Sequence, residues 1–160
     1  GIIGGDYAKE MNATTQNPIL IVVAEDDPDD QLLICDALAE SEVPNQVYFV
    51  ANGQELLDYL RHSGAFTGDT QRRPDLILLD LNMPKKDGRE ALAEIKADAE
   101  LRSIPVVVLT TSKSCEEVQR IYDLGANSYM VKPSSYVNLV QALGSMTHYW
   151  FTTVRLPNSC

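Results

Sequence analysis

Side chains suited to phosphoryl chemistry follow four short apolar runs of the sequence. In chain order they are Glu25 with Asp26, Asp80, Thr110 and Lys132. Two carboxylates about 4 Å apart repel by roughly 4 kcal/mol at an effective dielectric of about 20, so three carboxylates in one pocket need a cation. Oxygen ligands select a hard cation, and a site with few protein ligands and several waters suits Mg²⁺. Beside such a cation a carboxylate can attack phosphorus and form an aspartyl phosphate, while a lysine and a hydroxyl contact the other phosphoryl oxygens.

The elements that must position these side chains alternate along the chain. Continuous apolar runs predict buried strands, and apolar repeats at i, i+3 and i+4 predict amphipathic helices. The predicted strands are 19–24, 46–51, 76–80, 105–110 and about 127–131. The predicted helices are 29–40, a short one through 56–60, about 88–99, one through 118–125 and about 135–151. This (βα)5 alternation predicts an α/β fold with a doubly wound, parallel, five-stranded sheet, in which ligands gather at the carboxyl ends of the strands.

Composition favours one globular domain that binds neither nucleic acid nor membranes. The 160 residues are 44% hydrophobic, which is enough for one sizeable core. The net charge of −10 would repel nucleic acid and anionic membrane surfaces. The longest apolar runs are far shorter than the roughly 20 residues needed to cross a bilayer, and no signal peptide is expected.

The cysteines point to a reducing compartment. Cys35, Cys115 and Cys160 are odd in number and show no CxxC spacing. Neither a disulfide framework nor a zinc site is predicted, so the cytoplasm is the expected location. Cys35 is predicted to pack in the core as a small apolar group.

The acidic run after the first predicted strand has simpler interpretations than a calcium site. An EF-hand loop needs a glycine, and the DDPDD stretch has a proline and no glycine in the critical places. Asp27, Asp29 and Asp30 are therefore interpreted as a solvated helix start that the helix dipole favours. Asp29 is the candidate N-cap.

Taken in order, these motifs resemble those of one family. They are Glu25-Asp26, the DLNMPKKDG stretch around Asp80, Thr110, and Tyr129-x-x-Lys132-Pro133. The combination resembles the receiver domain of two-component response regulators over about residues 19–147. The resemblance implies the flavodoxin-like receiver fold with strand order 2-1-3-4-5, and phosphorylation of Asp80 by a sensor histidine kinase.

The resemblance also implies how the site holds its metal and its phosphoryl group. Asp26 and Asp80 would bind Mg²⁺ directly, and Asn82 would add its backbone carbonyl. Glu25 would act mainly through water. Lys132 would contact the phosphoryl group.

Two further residues would form the switch. Thr110 would move toward the phosphoryl group, and Tyr129 would follow. The face formed by the fourth helix, the fifth strand and the fifth helix would then change its affinity for a downstream protein. The peptide bond before Pro133 is expected to be cis.

A closer likeness exists to the single-domain regulators that partner phytochrome photoreceptors. It lies in RPDLILLDLNMPKKDGREALAEIK (73–96), IPVVVLTTS (104–112) and WFTTVRLP (150–157). Members of that subfamily have no DNA-binding output domain, and their C-terminal segment takes part in dimerisation. The resemblance therefore implies a phytochrome histidine kinase as partner and a homodimer.

These expectations divide the chain into three parts. Residues 1–17 are an N-terminal tail or a cloning remnant, 18–149 the receiver domain, and 150–160 a C-terminal extension. The extension carries an apolar cluster that could fold back on its own domain, although large apolar patches more often mark a partner surface. The residues predicted to form a dimer contact are Trp150, Phe151, Val154 and Leu156.

Two alternatives lead to different activities. A small phosphohydrolase of the haloacid dehalogenase type would also use an aspartyl phosphate, but it needs a second acid two residues after the nucleophile. Asn82 occupies that place. A pseudo-receiver that binds without phosphorylation is disfavoured by the complete set of acids, Thr110 and Lys132. The sequence thus favours a signalling protein that catalyses only its own phosphotransfer and slow dephosphorylation.

Overall fold

The computed structural model of the chain describes residues 18–68 and 71–157. The predicted tail at 1–17 and the last residues of the predicted extension, 158–160, lie outside the described residues. No helix within the described ranges is long and apolar enough to cross a membrane.

Five parallel strands form one sheet in the predicted order. The strands are β1 (Ile19–Ala24), β2 (Asn45–Val50), β3 (Leu76–Leu79), β4 (Val106–Thr110) and β5 (Ser128–Val131). Their order is β2-β1-β3-β4-β5, which confirms the predicted flavodoxin-like topology. Strands β3 and β4 are buried at every residue, as expected for central parallel strands that are covered on both faces.

Five α-helices follow the strands, and each begins at a polar capping residue. The helices are α1 (Pro28–Ala39), α2 (Gly53–Arg61), α3 (Gly88–Ala97), α4 (Cys115–Asp123) and α5 (Tyr136–His148). The caps, whose side chains accept a hydrogen bond from a backbone N–H in the first turn, are Asp27, Asn52, Asp87, Ser114 and Ser135. The prediction of Asp29 as the first cap was wrong by two residues, because Pro28 suits the first helical position and leaves Asp27 to cap it.

The core lies on both faces of the sheet because alternate strand residues point to opposite sides. Val22 and Ile77 belong to the cluster that α2, α3 and α4 cover. Ile21 and Leu78 belong to the cluster that α1 and α5 cover. Cys35 is exposed, so its predicted burial was wrong.

The stretch 63–74 has two glycines, a closing proline and no hydrophobic period, which predicts a surface loop, but part of it is regular. A short 3-10 helix spans Gly64–Phe66. Phe66 is buried, and its ring packs edge-on against Tyr59 with 5.2 Å between the ring centroids. An aromatic side chain thus anchors part of the predicted surface loop.

The chain after α5 continues as one π-helical turn, Tyr149–Thr153. Trp150 and Phe151 are partly buried against the cluster under α1 and α5. Leu156 is buried, and Val154 is half-buried. This apolar segment therefore packs on its own domain.

Candidate functional site

Three carboxylates meet where β1 and β3 end side by side. Ala24 pairs with Leu79 in the sheet, so the residues that follow these strands are neighbours. Glu25, Asp26 and Asp80 each place one carboxylate oxygen within 4.8 Å of the others. Glu25 is 1% exposed and Asp80 8%, whereas Asp26 is exposed. An all-oxygen cluster that is buried on one side and open on the other fits a hard cation that keeps several waters.

Lys132 brings a positive charge into the same pocket from the end of β5. Its Nζ donates to Glu25 Oε1 at 2.5 Å and to Asp30 Oδ2 at 3.1 Å. The distance from Nζ to Asp80 Oδ1 is 3.9 Å. The structure thus unites the predicted acids and lysine, and it adds Asp30, which the sequence pattern indicates only as part of a solvated helix start.

The two predicted switch residues lie on neighbouring strands beside this pocket. Thr110 is fully buried, and its Oγ1 has no hydrogen-bond partner among the described residues. Tyr129 packs against the cluster under α2, α3 and α4, and its hydroxyl donates to the backbone carbonyl of Ser112 at 2.8 Å. Tyr129 is therefore tied to the loop between β4 and α4.

The loop after Asp80 is held by close backbone contacts. Gly88 N donates to Leu81 O at 2.9 Å, and Gly53 N donates to Lys86 O at 2.7 Å. Lys85, between these contacts, has a positive φ of 60°. Asn82 is exposed within this loop. The peptide bond before Pro133 is trans, so the expectation of a cis bond was wrong; the two isomers of a bond before proline differ by only about 1 kcal/mol.

Residues 21–144 match the family described as the response regulator receiver domain. The chain belongs to this family. The match includes every residue predicted to take part in phosphoryl chemistry or switching.

Relatives of this receiver domain are alike along most of their length. Response regulator Rcp1 of Synechocystis sp. is 37% identical over 147 residues, which are 92% of this chain and 99% of Rcp1. The structure of the phosphorylated cyanobacterial phytochrome response regulator RcpA superimposes with a TM-score of 0.82 at 45% identity, covering 88% of this chain and 99% of RcpA. The Mn²⁺-bound form of Rcp1 gives 0.80 at 38% identity, with 88% and 99% covered. The last of these shows that a related receiver domain binds a divalent cation.

Burial and nearby charges set the protonation of the pocket. Burial raises the pKa of Asp80 above its ordinary value, although the charge of Lys132 and backbone N–H groups of Asn82 and Leu81 oppose the rise. Burial lowers the pKa of Lys132, but the hydrogen bond to Glu25 and the charge of Asp80 outweigh it, so the net pKa is raised. The ammonium is therefore charged at neutral pH, while burial makes ionisation of Asp80 less favourable than it is in water.

This raised pKa predicts how stability depends on pH. A carboxyl group whose pKa is higher in the folded state stabilises the fold below its unfolded pKa of about 3.9, and that stability is lost as the pH rises through the folded pKa. We therefore expect Asp80→Asn to raise the melting temperature of the metal-free protein at pH 7, and the gain to shrink toward pH 4. Thermal melts of both proteins in chelator across this range test the prediction. An equal melting temperature at pH 7 would contradict it.

The unpartnered hydroxyl of Thr110 predicts a second effect on stability. A buried hydroxyl without a hydrogen bond is unfavourable, so Thr110→Val should increase the free energy of unfolding by about 1 kcal/mol. Thr147 is the matched control, because it is equally buried and its Oγ1 donates to Leu143 O at 3.0 Å. Thr147→Val should instead lower the free energy by about 1 kcal/mol. Urea unfolding measures both, and equal losses in the two variants would show that Thr110 has a partner.

Proposed function

We propose that Asp80 accepts a phosphoryl group from the phosphohistidine of a sensor histidine kinase. The observation that carries this proposal is the meeting of Asp80 with Asp26, Glu25 and Lys132 at one edge of the sheet. A carboxylate oxygen of Asp80 forms a bond to phosphorus as the bond from phosphorus to the histidine nitrogen breaks, so the product is an acyl phosphate. The nearby ammonium of Lys132 can then donate to a phosphoryl oxygen.

The acids of the pocket fit the Mg²⁺ that this reaction uses. Asp26 and Asp80 would hold the ion directly with the backbone carbonyl of Asn82, and Glu25 would act through water. When bound, Mg²⁺ neutralises negative charge on the phosphoryl oxygens. The exposure of Asp26 leaves that side of the pocket open to solvent and to a phosphodonor.

We propose that the signal is a movement of Thr110 and Tyr129. The buried Thr110 hydroxyl can satisfy its missing hydrogen bond with a phosphoryl oxygen. Tyr129 would then leave the Ser112 carbonyl and change the surface of α4, β5 and α5 that a downstream protein contacts.

The partner we propose is a phytochrome-type histidine kinase in the cytoplasm. The support is the resemblance to RcpA, which is named as a phytochrome response regulator. We further propose that the protein turns over no external substrate. A phosphohydrolase of the haloacid dehalogenase type needs a second acid two residues after the nucleophile, and Asn82 occupies that place.

Incubation with Mg²⁺ and acetyl phosphate tests the proposed chemistry. Intact-mass measurement should show one added phosphoryl group, and none when a chelator is present. An unchanged mass with Mg²⁺ would contradict the proposal. Phosphotransfer from a set of purified histidine kinases, with a phytochrome kinase among them, then tests the proposed partner.

We also propose a homodimer formed through the C-terminal segment. Leu156 is buried within its own domain, so Val154, which is only half-buried, is the sharper probe. We expect Val154→Asp to turn the dimer into a monomer, because an interface does not tolerate an unpaired buried charge. Val137→Asp is the control, since this exposed valine lies at the other end of α5. Sedimentation velocity distinguishes the outcomes, and a dimer that survives in Val154→Asp would contradict this interface.

A further inference from the structure

Asp30 contacts the lysine of the phosphorylation site, although it belongs to no motif of the family resemblance. It lies in the first turn of α1, and its Oδ2 accepts a hydrogen bond from Lys132 Nζ at 3.1 Å. The Asp30 side chain is 37% exposed, whereas that of Lys132 is only 14% exposed. Lys132 thus lies within the pocket, and Asp30 lies at its rim.

Three carboxylates lie within 4 Å of the ammonium of Lys132. Glu25 Oε1 at 2.5 Å and Asp30 Oδ2 at 3.1 Å are within hydrogen-bond range. Asp80 Oδ1 at 3.9 Å is an ion-pair partner that lies beyond that range. Lys132 is therefore anchored by two acids that are not the phosphoryl acceptor.

The position of Lys132 decides what Asp80 can do. A direct hydrogen bond from Lys132 to Asp80 would occupy a carboxylate oxygen and offset the charge that attracts a cation. An ammonium held back at 3.9 Å does not take up an oxygen of Asp80, so the carboxylate can serve a metal ion and attack phosphorus. A second anchor at the rim makes this retention possible.

We propose that Asp30 is a positioning residue that holds Lys132 away from Asp80 and thereby keeps the acceptor carboxylate open to Mg²⁺. This inference rests on the proposed function, because it concerns the same pocket. It predicts that loss of the Asp30 charge lets Lys132 move onto Asp80 and compete with the metal.

The test is Mg²⁺ binding to the full chain, measured by isothermal titration calorimetry in the absence of any phosphodonor. In Asp30→Asn we expect the Kd for Mg²⁺ to rise about tenfold. Lys132, once about 1 Å closer to Asp80, would be attracted to that carboxylate more strongly, and at an effective dielectric of about 20 the difference corresponds to about tenfold in an equilibrium constant. Asp29→Asn is the matched control. Asp29 is exposed in the same helical turn, and among the described residues it makes no hydrogen bond or ion pair with Lys132.

The control separates position from general charge. Asp29→Asn should change the Kd by less than about threefold, because Asp29 is exposed, its charge is screened by solvent, and it makes no contact with Lys132. Equal effects of the two substitutions would overturn the proposal, because they would show that only net charge matters.

A second background tests whether Lys132 carries the effect. When Lys132 is replaced by methionine, Asp30→Asn should weaken Mg²⁺ binding no more than Asp29→Asn does. An additional loss that persists without Lys132 would overturn the proposal. If the unaltered chain binds Mg²⁺ and only the Asp30 effect is missing, this inference fails while the proposed function stands; if the unaltered chain binds no Mg²⁺, both fail.

Discussion

Asp80→Asn is expected to abolish phosphorylation of the receiver domain by acetyl phosphate. An amide is neutral and a poor nucleophile, so no acyl phosphate can form at this position. Asparagine has nearly the same shape as aspartate and carries no charge. Because burial raises the pKa of Asp80, removing its charge should not unfold the protein. Loss of the added mass, with an unchanged circular dichroism spectrum, would therefore report on chemistry.

The control for this prediction is Asp36→Asn. Asp36 is an exposed residue of α1 that lies outside the pocket, so its replacement should leave the extent of phosphorylation unchanged. Undiminished labelling of Asp80→Asn would assign the acceptor role to another acid, with Asp26 and Glu25 as the candidates in the same pocket.

Gly88→Ala is expected to cause a large loss of stability. An added Cβ would overlap the backbone carbonyl of Asp80 and lie 2.8 Å from Leu81 Cα. Backbone atoms cannot rotate away as a side chain can, so either α3 or the loop after Asp80 must shift. We expect the free energy of unfolding to fall by about 3 kcal/mol. Phosphorylation of the remaining folded protein should also be slower, because the same overlap displaces Asp80.

Gly144→Ala is the matched control for Gly88→Ala. Gly144 lies within α5, and a Cβ there would meet no atom within 4 Å. Because alanine favours helix more than glycine does, this variant should gain about 0.5–1 kcal/mol. Urea unfolding measures both changes. A Gly88→Ala protein as stable as the unaltered chain would show that the turn after Asp80 yields easily.

The strands and the principal site residues could be predicted because their signals are local. Runs such as LILL before Asp80 are apolar at every position, which in a short segment favours a strand buried on both faces. Polar residues that directly follow such runs must lie at the carboxyl edge of a parallel sheet. The helix bounds were less accurate, because the capping residue depends on which of several acids accepts the backbone N–H. In α1 that residue is Asp27, next to Pro28.

Other features depend on which distant residues meet. Cys35 follows Ile34 in α1, and a shift of one position around the helix separates the buried face from solvent. Tyr129 was recognisable by its place, but its hydrogen bond to the Ser112 carbonyl requires the loop between β4 and α4 to lie over β5.

The sequence by itself determined the sheet, its carboxyl edge, and the identity of Asp80, Asp26, Glu25 and Lys132 as the residues placed there. The alternation of apolar runs and amphipathic stretches was enough, because the local hydrophobic pattern of each element indicates which of its faces is buried. Only the tertiary structure decided that Asp30 shares Lys132 with Glu25 and that the apolar C-terminal segment packs on its own domain. Residues 30 and 132 are 102 positions apart. An ion pair at that separation depends on how α1 sits against the end of β5, which no local pattern of charge or hydrophobicity specifies.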